Sequence, residues 1–558
     1  MASRSKSTAR KTSRGKSRWT EGTRARSAPR GVTVSGSERP RVKGAVFVGK
    51  ADPRSKVEVT ITLRGRKLPD ADQLSRGALS PSKFKARYGA SKRDVDKVSQ
   101  LLRRNGITID EVSRETRSMR VSGTVAQMEH LFEPDLCMFK SADRRKFRDR
   151  QSNYIVPSSL KNIITGLIGF GQRQVASRKK PRIGAGLAQL EPDGLERLYR
   201  FPPGFAAGQK IAIAEFGGGY FAEDVRMFCR RARRPEPRIR TVSINTPVRN
   251  RAQVESLPAS DRQDEIDNTG EVMMDVEIIA SLCPEAEISV YFATFDQKGW
   301  VDLLDRVIKD RPAALSVSWG SAEDSSDWSP AARKAINERL QMAAALGITI
   351  CVAAGDDGSG DEETDHRAHL DFPSASPYVL AVGGTMLNHE GGKITEQVWW
   401  ESPGKRAGGG GSTGGGVSAL FRRPKWQDVR IASVNNDKFD GRVVPDVAAL
   451  AGPPGYDMIF RSKTDYGAGT SASAPLWAAL IARVYALLPP DKRQRFLAPL
   501  LYQKSKFGPP LGSVVCQDIT IGDNRSTPPG VGYQAAIGFD AASGWGTPIG
   551  TALLLALS

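Results

Sequence analysis

A long alternation of apolar strands with helices constrains the fold of this 558-residue chain most strongly. From about residue 209 onward, strand-like runs such as IAIAEF, AEISVYFA, ALSVSW and ITICVAAG are separated by helical stretches such as WVDLLDRVIKD. Near-continuous apolar strands joined by helices predict a parallel sheet that is covered on both faces. We therefore predict a doubly wound α/β domain over residues 191–558, with functional groups at the carboxyl ends of its strands.

The preceding region, residues 41–170, has a pattern that predicts a small α+β domain. Its order is a strand (VEVTITLRG), a helix (DVDKVSQLLRRNG), two strands (ITIDEVS and SMRVSGT) and a second helix (VAQMEHLF). The first helix opens at Ser91 and ends at Gly106, which are typical start and stop residues. This order favours an antiparallel, ferredoxin-like sheet with helices on one face.

Two basic segments flank this small domain. Residues 1–40 are rich in Arg, Lys, Ser, Thr and Gly and have too few apolar side chains to form a core, so we expect a disordered arm. Residues 171–190 are basic and short of bulky apolar side chains. The composition of residues 171–190 predicts an exposed linker that proteases can cut.

The net charge of +21 is divided unevenly along the chain. Residues 1–190 contain 43 Lys and Arg against 16 Asp and Glu, a charge of +27, whereas the remainder carries −6. The division fits a nucleic-acid-binding region, and it equally fits a basic segment that docks on its own acidic partner domain. Composition alone leaves both interpretations open.

The composition excludes several classes of protein. With 39% hydrophobic and 26% charged residues, the chain is neither disordered nor a disulfide-dense mini-protein. No stretch approaches 18 uncharged apolar residues, so we expect no transmembrane helix. The five cysteines match no zinc-site spacing. The basic start, MASRSKSTARKTSRGKSRWT, has no apolar segment, so we expect no ordinary secretory signal.

The run GTSASAP, residues 469–475, is the sharpest local signal and precedes the apolar stretch LWAALIARVYALL. A turn of this kind places Ser471 at the start of a helix, near free backbone N–H groups and the positive end of the helix dipole. That setting suits a nucleophile. Taken alone, a serine before a helix is more often only a cap.

A serine nucleophile needs a base, and the four histidines offer no convincing one. His130 lies in the small N-terminal domain, and His366 and His369 lie in an acidic loop. Glu271 and Asp275 are better candidates, because residues four apart share one helix face. Repulsion between the two carboxylates favours a carboxyl base or acid that works in acid, although a solvated helix face is the alternative.

A third candidate is Asp356, which follows the strand ITICVAAG. A carboxyl group at the carboxyl end of a parallel strand is well placed for an active site. In its protonated form it could donate a hydrogen bond to a developing oxyanion. An aspartate in this position is also common as a simple turn residue.

Together these residues resemble the sedolisin family of serine-carboxyl peptidases, over nearly the whole chain. The E-x-x-x-D pair of the family is matched by Glu271 and Asp275, its oxyanion aspartate in AAGD by Asp356, and its nucleophile in G-T-S-A-x-x-P by Ser471. The resemblance implies a subtilisin-like fold and a serine-type endopeptidase that works at acid pH. It makes Glu271 the base for Ser471, Asp275 the residue that holds Glu271, and Asp356 the oxyanion stabiliser.

The resemblance extends to residues around this tetrad. Glu215 matches a glutamate of the family's proton network, and Trp319 in SVSWG matches the tryptophan beside it. Asp371 in LDFP matches a position that lines a substrate subsite. The TGGGVS run matches a segment that borders the substrate cleft, where glycine permits close approach of peptide backbone. The glycines of this run are Gly414, Gly415 and Gly416.

Near the C-terminus, QDIT and AIGFD resemble the family's calcium loop. The resemblance implies one Ca²⁺ per chain, held by the oxygen ligands that calcium prefers. Taken alone, the aspartates would be ordinary turn residues. The implied ligands are the carboxylates of Asp518 and Asp540 and the backbone carbonyls of Ile519, Ala536 and Gly538.

The N-terminal domain resembles the family's propeptide, which implies a zymogen whose residues 41–170 block the cleft until the chain is cut within 171–190. The resemblance also implies protein or peptide substrates, a monomer without membrane attachment, and an extracellular location, although no signal segment is visible. A competing hypothesis is an inactive peptidase-like scaffold whose basic N-terminal region binds nucleic acid or an acidic surface. The presence of all four tetrad residues favours the peptidase.

Overall fold

The computed structural model describes residues 31–40, 42, 44–74, 77–141, 145–175, 189–390, 392–437, 439–493, 495–506 and 508–558. Most of the expected disordered arm, residues 1–30, lies outside these ranges. Residues 31–40 do not fit the expectation, because Gly31–Thr33 forms a strand antiparallel to Ile155–Pro157 and Ser37 is buried. The N-terminal domain therefore begins about ten residues earlier than predicted.

The N-terminal domain has the expected ferredoxin-like order. Its antiparallel sheet runs Thr108–Ser113, Ser118–Thr124, Lys56–Leu63 and Ile164–Ile168. The helices Lys92–Arg104 and Val125–Phe132 pack against this sheet through an apolar core. Each begins at a side-chain cap, which is Ser91 for the first helix, as predicted, and Thr124 for the second. The remaining elements are the helices Ala71–Leu74 and Pro81–Tyr88 and a small sheet of Val46–Lys50, Leu136–Lys140 and Lys146–Arg150.

The second domain is built on one large, mainly parallel sheet, as predicted. Its order is Arg238–Ser243, Glu287–Phe292, Lys210–Glu215, Ala314–Val317, Thr349–Ala353, Leu380–Glu390 and Lys393–Val398, with Val447–Leu450 also paired to Leu380–Glu390. Only Lys393–Val398 among these strands runs antiparallel. The inner strands are apolar and almost wholly buried, which is typical of a sheet covered on both faces.

Four helices cover this sheet. The long helix (Ala259–Leu282) and the central helix (Thr470–Leu487) contact each other and the strands. The outer helices (Gln297–Asp310 and Pro330–Ala345) form a second pair that packs against the N-terminal domain. The central helix is buried along nearly its whole length, as its continuous apolar sequence requires.

The shorter elements of the second domain complete its surface. Its other helices are Pro192–Leu198, Ala222–Arg231, Arg251–Glu255, Ala498–Leu501, Gly512–Val515 and Gly550–Leu557. Five small antiparallel pairs are Ser321–Ala322 with Asp371–Phe372, Trp400–Glu401 with Gly411–Ser412, Gly416–Arg422 with Gly441–Val444, Tyr456–Phe460 with Lys463–Gly467, and Cys516–Gln517 with Thr547–Pro548. Within the described ranges no helix is long and apolar enough to cross a membrane.

The contact between the two domains has an apolar part and a buried polar part. Phe84 and Tyr88 of the N-terminal domain belong to the same buried apolar cluster as the core of the second domain. Thr60 Oγ1 of the N-terminal sheet donates to Asp302 Oδ1 of an outer helix at 2.5 Å, and Lys298 Nζ contacts the other oxygen of Asp302. Such a buried carboxylate is compensated by its two donors.

The ion pairs that cross this contact do not follow the simple charge division of the sequence. Three such pairs join described residues. Arg145 of the N-terminal domain meets Asp264, which is the expected polarity. In Arg311–Glu115 and Lys309–Glu111 the N-terminal domain supplies the acid instead. Net charge therefore does not describe the local contacts, because individual ion pairs depend on side-chain positions.

The first residues of the predicted linker are packed rather than exposed. Val175 is buried, and its carbonyl accepts a hydrogen bond from Ser321 Oγ at 2.9 Å. The Arg173 guanidinium donates to the Pro40 carbonyl at 2.6 Å and pairs with Asp149 at 3.2 Å. Residues 171–175 therefore belong to the folded part, because these contacts join them to other segments of the chain. The stretch 176–188 lies outside the described residues.

Candidate active site

The carboxyl edge of the large sheet gathers the residues that the sequence singled out. Glu215 ends the strand Lys210–Glu215, and Trp319 lies two residues beyond the strand Ala314–Val317. Asp356 follows the strand Thr349–Ala353. Because neighbouring parallel strands end at the same edge, three polar side chains from distant parts of the sequence face one region.

Glu271 and Asp275 lie in the middle of the long helix. The helix begins at Ala259, in the polar stretch ASDRQDEIDN, where the apolar pattern is absent. The alternative of a solvated helix face is wrong, because Glu271 is 5% exposed and Asp275 is 0% exposed. Two carboxyl groups on one buried helix face are costly unless they are protonated or hydrogen-bonded.

Glu215, Glu271 and Asp275 form a group of interacting carboxyls, here called the carboxyl trio. Burial raises the pKa of Glu215 well above its usual range, the charge of Glu271 adds to this, and the Trp319 indole opposes it by donating to Glu215 Oε2 at 3.0 Å. Burial also raises the pKa of Asp275, with contributions from Glu215 and Glu271. Glu215 and Asp275 therefore retain protons at a pH where exposed carboxyls have lost them.

Asp356 is hydrogen-bonded to the residue before the nucleophile candidate. Its Oδ1 accepts from the Thr470 N–H at 2.8 Å and from Thr470 Oγ1 at 2.7 Å. Its Oδ2 faces Gly469, where an added Cβ would lie 2.5 Å away, and Gly469 also has a φ of +97°. Glycine is required here on both counts. The arrangement leaves Oδ2 directed towards the turn that precedes Ser471.

Ser471 occupies the first turn of the central helix and is fully buried in this form of the chain. Its Oγ lies 3.4 Å from the carbonyl of Ser318, a long contact that leaves the hydroxyl weakly held. The helix start supplies backbone N–H groups and a positive dipole end beside it. The structure thus places Ser471 close to the strand edge that carries the carboxyl groups.

His369 of the acidic loop has both ring nitrogens engaged. Nδ1 bonds to Asp324 and Nε2 to Asp365, each at 2.8 Å. Burial would lower its pKa, but the two aspartates dominate and raise it to about 9. A histidine held as a cation between two carboxylates cannot serve as a general base. His369 is thus a structural clamp of the loop.

The predicted substrate-binding residues border this site. Asp371 is buried beside Gly320, where an added Cβ would lie 1.8 Å from its Oδ1. Gly414 packs on the Ala354 carbonyl, which an added Cβ would approach to 2.0 Å, and Gly416 has a φ of +145°. The close approach predicted for this glycine run is therefore made, at Gly414, to the chain's own backbone.

The residues of the predicted calcium loop lie together near the C-terminus. Asp518 Oδ2 accepts from the Gly538 N–H at 2.8 Å, and Asp540 Oδ2 accepts from the Ala536 N–H at 2.9 Å. Burial raises the pKa of Asp540. Within the described part of the chain, no group of three or more His, Cys, Asp or Glu side chains is arranged to hold a metal ion. A calcium site here would depend on backbone carbonyls such as that of Ile519.

Two hydroxyl residues of the site were missed by reasoning from the sequence. Thr470 binds Asp356, and Ser318 Oγ donates to Asp275 Oδ2 at 2.6 Å. Thr470 lies in the run GTSASAP, and Ser318 lies in the run SVSWG. Their position next to the singled-out residues was the available signal, but the partners are more than 40 residues away in the sequence.

Comparisons with known proteins agree with this architecture. The family model "Pro-kumamolisin, activation domain" matches residues 43–172, and the subtilase family model matches residues 266–508. Kumamolisin from Bacillus sp. (strain MN-32) is 35% identical over 557 residues, which cover 94% of this chain and 96% of kumamolisin. Tripeptidyl-peptidase sed5 from Aspergillus fumigatus is 27% identical, covering 92% and 95% of the two chains.

A solved structure gives the same fold. Pseudomonas sedolisin, a serine-carboxyl proteinase complexed with pseudo-iodotyrostatin, has a TM-score of 0.54 at 23% identity and covers 66% of this chain and 98% of its own. The likeness confirms the subtilisin-like sheet of the second domain. From the extent and identity of the match to kumamolisin, the chain belongs to the sedolisin family of serine-carboxyl peptidases and carries the family's activation domain at its N-terminal side.

Proposed function

We propose that this serine-carboxyl peptidase is an endopeptidase that works at acid pH, with Ser471 as nucleophile and Glu271 as its base. The observation that carries the proposal is the carboxyl trio, buried at the sheet edge where Ser471 and Asp356 also lie. Burial and mutual repulsion favour a shared proton in this trio, and such a group can exchange a proton with a serine hydroxyl in acid.

The first half of the reaction forms an acyl-enzyme. Ser471 Oγ attacks the carbonyl carbon of the scissile peptide bond while Glu271 accepts the hydroxyl proton. The carbonyl oxygen becomes an oxyanion, and the Asp356 carboxyl donates a hydrogen bond to it. Glu271 then passes its proton to the leaving nitrogen, so that the C–N bond breaks and the new amine leaves. Asp275 supports Glu271 throughout.

The second half hydrolyses the acyl-enzyme. Glu271 takes a proton from water, the hydroxide oxygen attacks the acyl carbon, and Asp356 again donates to the oxyanion. The bond to Ser471 Oγ breaks, and the proton returns to that oxygen. The cycle needs no external oxidant or reductant and ends with the enzyme in its starting form.

The activity of the mature enzyme should be confined to acid. Below their raised pKa values, Glu215 and Asp275 keep protons and the trio carries little charge. Protonation of Glu215 and Asp275 stabilises the folded state. This contribution is fully present below the pKa of about 4 that these carboxyls have in the unfolded chain, and it is lost as the pH rises through their raised pKa values in the folded state. We expect kcat/KM on an internally quenched peptide to be highest in acid and to fall by about tenfold or more towards neutral pH. Maximal activity at about pH 8 would contradict the assigned roles.

The calcium loop adds a prediction about stability. The oxygen chemistry of Asp518, Asp540 and the loop carbonyls fits Ca²⁺, and a cation would favour the ionised form of the buried Asp540. Bound calcium would supply charge compensation in the loop, away from the reacting atoms. At 100 times its Kd it stabilises the fold by about 2.7 kcal/mol. A chelator should therefore lower the Tm of the wild type.

The calcium prediction has a matched control within the same region. Asp518→Ala should remove the response of the Tm to added calcium. Asp523→Ala alters a nearby aspartate paired with Arg525 and should leave that response intact. If neither the chelator nor Asp518→Ala changes the Tm, the loop binds no calcium and is only a structural turn.

One analysis of the products distinguishes internal cleavage from the release of tripeptides at one end. Kumamolisin and the tripeptidyl-peptidases are both relatives of this chain. An endopeptidase cuts a denatured protein at internal bonds and produces a range of fragments, whereas a tripeptidyl-peptidase releases only tripeptides from one end. We propose internal cleavage, by a monomer that acts outside the cell. Mass spectrometry of early products tests the first of these statements.

A further inference from the structure

Ser318 contacts two groups of the active site that lie on different elements. It follows the strand Ala314–Val317 and is fully buried. Its Oγ is 2.6 Å from Asp275 Oδ2 on the long helix and 3.1 Å from the backbone carbonyl of Ser471 on the central helix. The carbonyl of Ser318 in turn faces Ser471 Oγ at 3.4 Å. Ser318 therefore contacts both Asp275 of the carboxyl trio and the proposed nucleophile Ser471.

The hydroxyl of Ser318 can serve only one of its two acceptors at a time, because it has a single proton. While Asp275 is ionised, the bond to that carboxylate is charge-assisted and is the stronger one. When Asp275 carries a proton, the carboxyl can itself donate to Ser318 Oγ. The hydroxyl proton is then free to bond to the Ser471 carbonyl, so the bonding around Ser471 changes with the proton on Asp275.

The charged surroundings of Asp275 give this bond its importance. Burial, Glu215 from the neighbouring strand and Glu271 from the same helix all raise the pKa of Asp275, and the Ser318 hydrogen bond opposes them. The first turn of the central helix contributes no charged side chain. Trp319 likewise donates a hydrogen bond from its indole N–H to Glu215. Adjacent residues at one strand end thus donate to two members of the carboxyl trio.

We propose that Ser318 is a positioning residue of the serine-carboxyl centre, which holds Asp275 as an acceptor for its neighbours and relays the protonation of that carboxyl to the backbone of Ser471. Ser318 takes no part in making or breaking bonds. The inference rests on the proposed roles of Ser471, Glu271 and Asp275.

The test is the pH profile of kcat/KM for mature Ser318→Ala. In the proposed mechanism, activity falls towards neutral pH as Glu215 and Asp275 lose their protons. Loss of the hydrogen bond to ionised Asp275 should raise the pKa of that carboxyl and move this alkaline limb to higher pH by about one unit. We expect kcat to fall about tenfold with little change in KM, because the Ser318 hydroxyl is fully buried and faces Asp275 and the Ser471 carbonyl. Ser316→Ala is the matched control. Ser316 is equally buried and two residues upstream, and its hydroxyl has no hydrogen-bond partner among the described residues.

Two further variants give every outcome a meaning. Ser318→Thr keeps the hydroxyl and should return the alkaline limb to its wild-type position, whereas Ser318→Cys keeps the size but is a weak donor and should not. An unshifted limb in Ser318→Ala would overturn the proposal, and so would identical profiles for Ser318→Ala and Ser316→Ala. Failure of Ser318→Ala and Ser318→Cys to fold, while Ser316→Ala folds, would make Ser318 a purely structural residue. If the wild type itself lacks acid peptidase activity, the proposed function fails first, and that result is distinguishable.

Discussion

Ser471→Ala should abolish peptidase activity, lowering kcat by about 10⁴-fold or more, since the acyl-enzyme can no longer form. The residue lies in the first turn of the central helix beside the strand edge that carries the carboxyl groups. Removing its hydroxyl leaves the helix and the surrounding contacts in place. Activity measured on a quenched peptide at acid pH, after the activation domain has been removed by added wild-type enzyme that is then separated from the variant, gives the loss directly.

Ser473→Ala is the matched control for this substitution. Ser473 lies two residues further along the same helix, is equally buried, and donates to backbone carbonyls of Ala449 and Leu450 instead of facing the strand edge. We expect it to cost stability and to leave kcat within a few fold of the wild type. Equal losses in both variants would mean that the effect comes from helix packing and would remove Ser471 from the nucleophile role.

Glu271→Gln should have the second largest effect. The amide keeps the size of the side chain but cannot accept the Ser471 proton, so kcat should fall by about 10²–10⁴-fold. Glu277→Gln is the matched control, because Glu277 is a buried carboxyl on the same helix that accepts from the Ile459 N–H at 2.8 Å. Burial keeps the pKa of Glu277 high, so in acid its replacement by an amide changes no charge.

The comparison of Glu271→Gln with Glu277→Gln distinguishes the loss of a catalytic base from the general effect of replacing a buried carboxyl. A large loss in Glu271→Gln with near-normal turnover in Glu277→Gln supports the assigned base. Near-normal turnover in Glu271→Gln would transfer the role of base to another group, with Asp275 as the first candidate.

The alternation of apolar strands and helices was sufficient to predict the sheet and the edge that carries the site. Strands buried on both faces have a strong local signal, and the residues that end them are then placed by topology alone. For this reason Asp356 could be located from the strand pattern, whereas Glu215 and Trp319 were identified through the resemblance to the sedolisin family. The strand Arg238–Ser243 was missed because it lies at the edge of the sheet and alternates with exposed arginines.

Features that depend on contacts between distant segments could not be predicted. The long helix begins in a polar stretch with no apolar period, so its start at Ala259 was missed, and the burial of Glu271 follows only from packing against the sheet and the central helix. Arg173 and Val175 read as linker because their partners belong to other parts of the chain. The hydrogen bond from Ser318 to Asp275 has the same origin.

Acidification of the purified full-length chain tests the central claim most directly. At about pH 4, where the trio can share protons, the wild type should convert from 60.5 kDa to roughly 40 kDa by cleavage within residues 176–190, beyond the packed residues 171–175. Intact-mass spectrometry over time gives both the extent and the site of cleavage. Ser471→Ala should remain at full length under the same conditions. Conversion of pure Ser471→Ala at the wild-type rate would contradict the account, because the cut would then not depend on this serine.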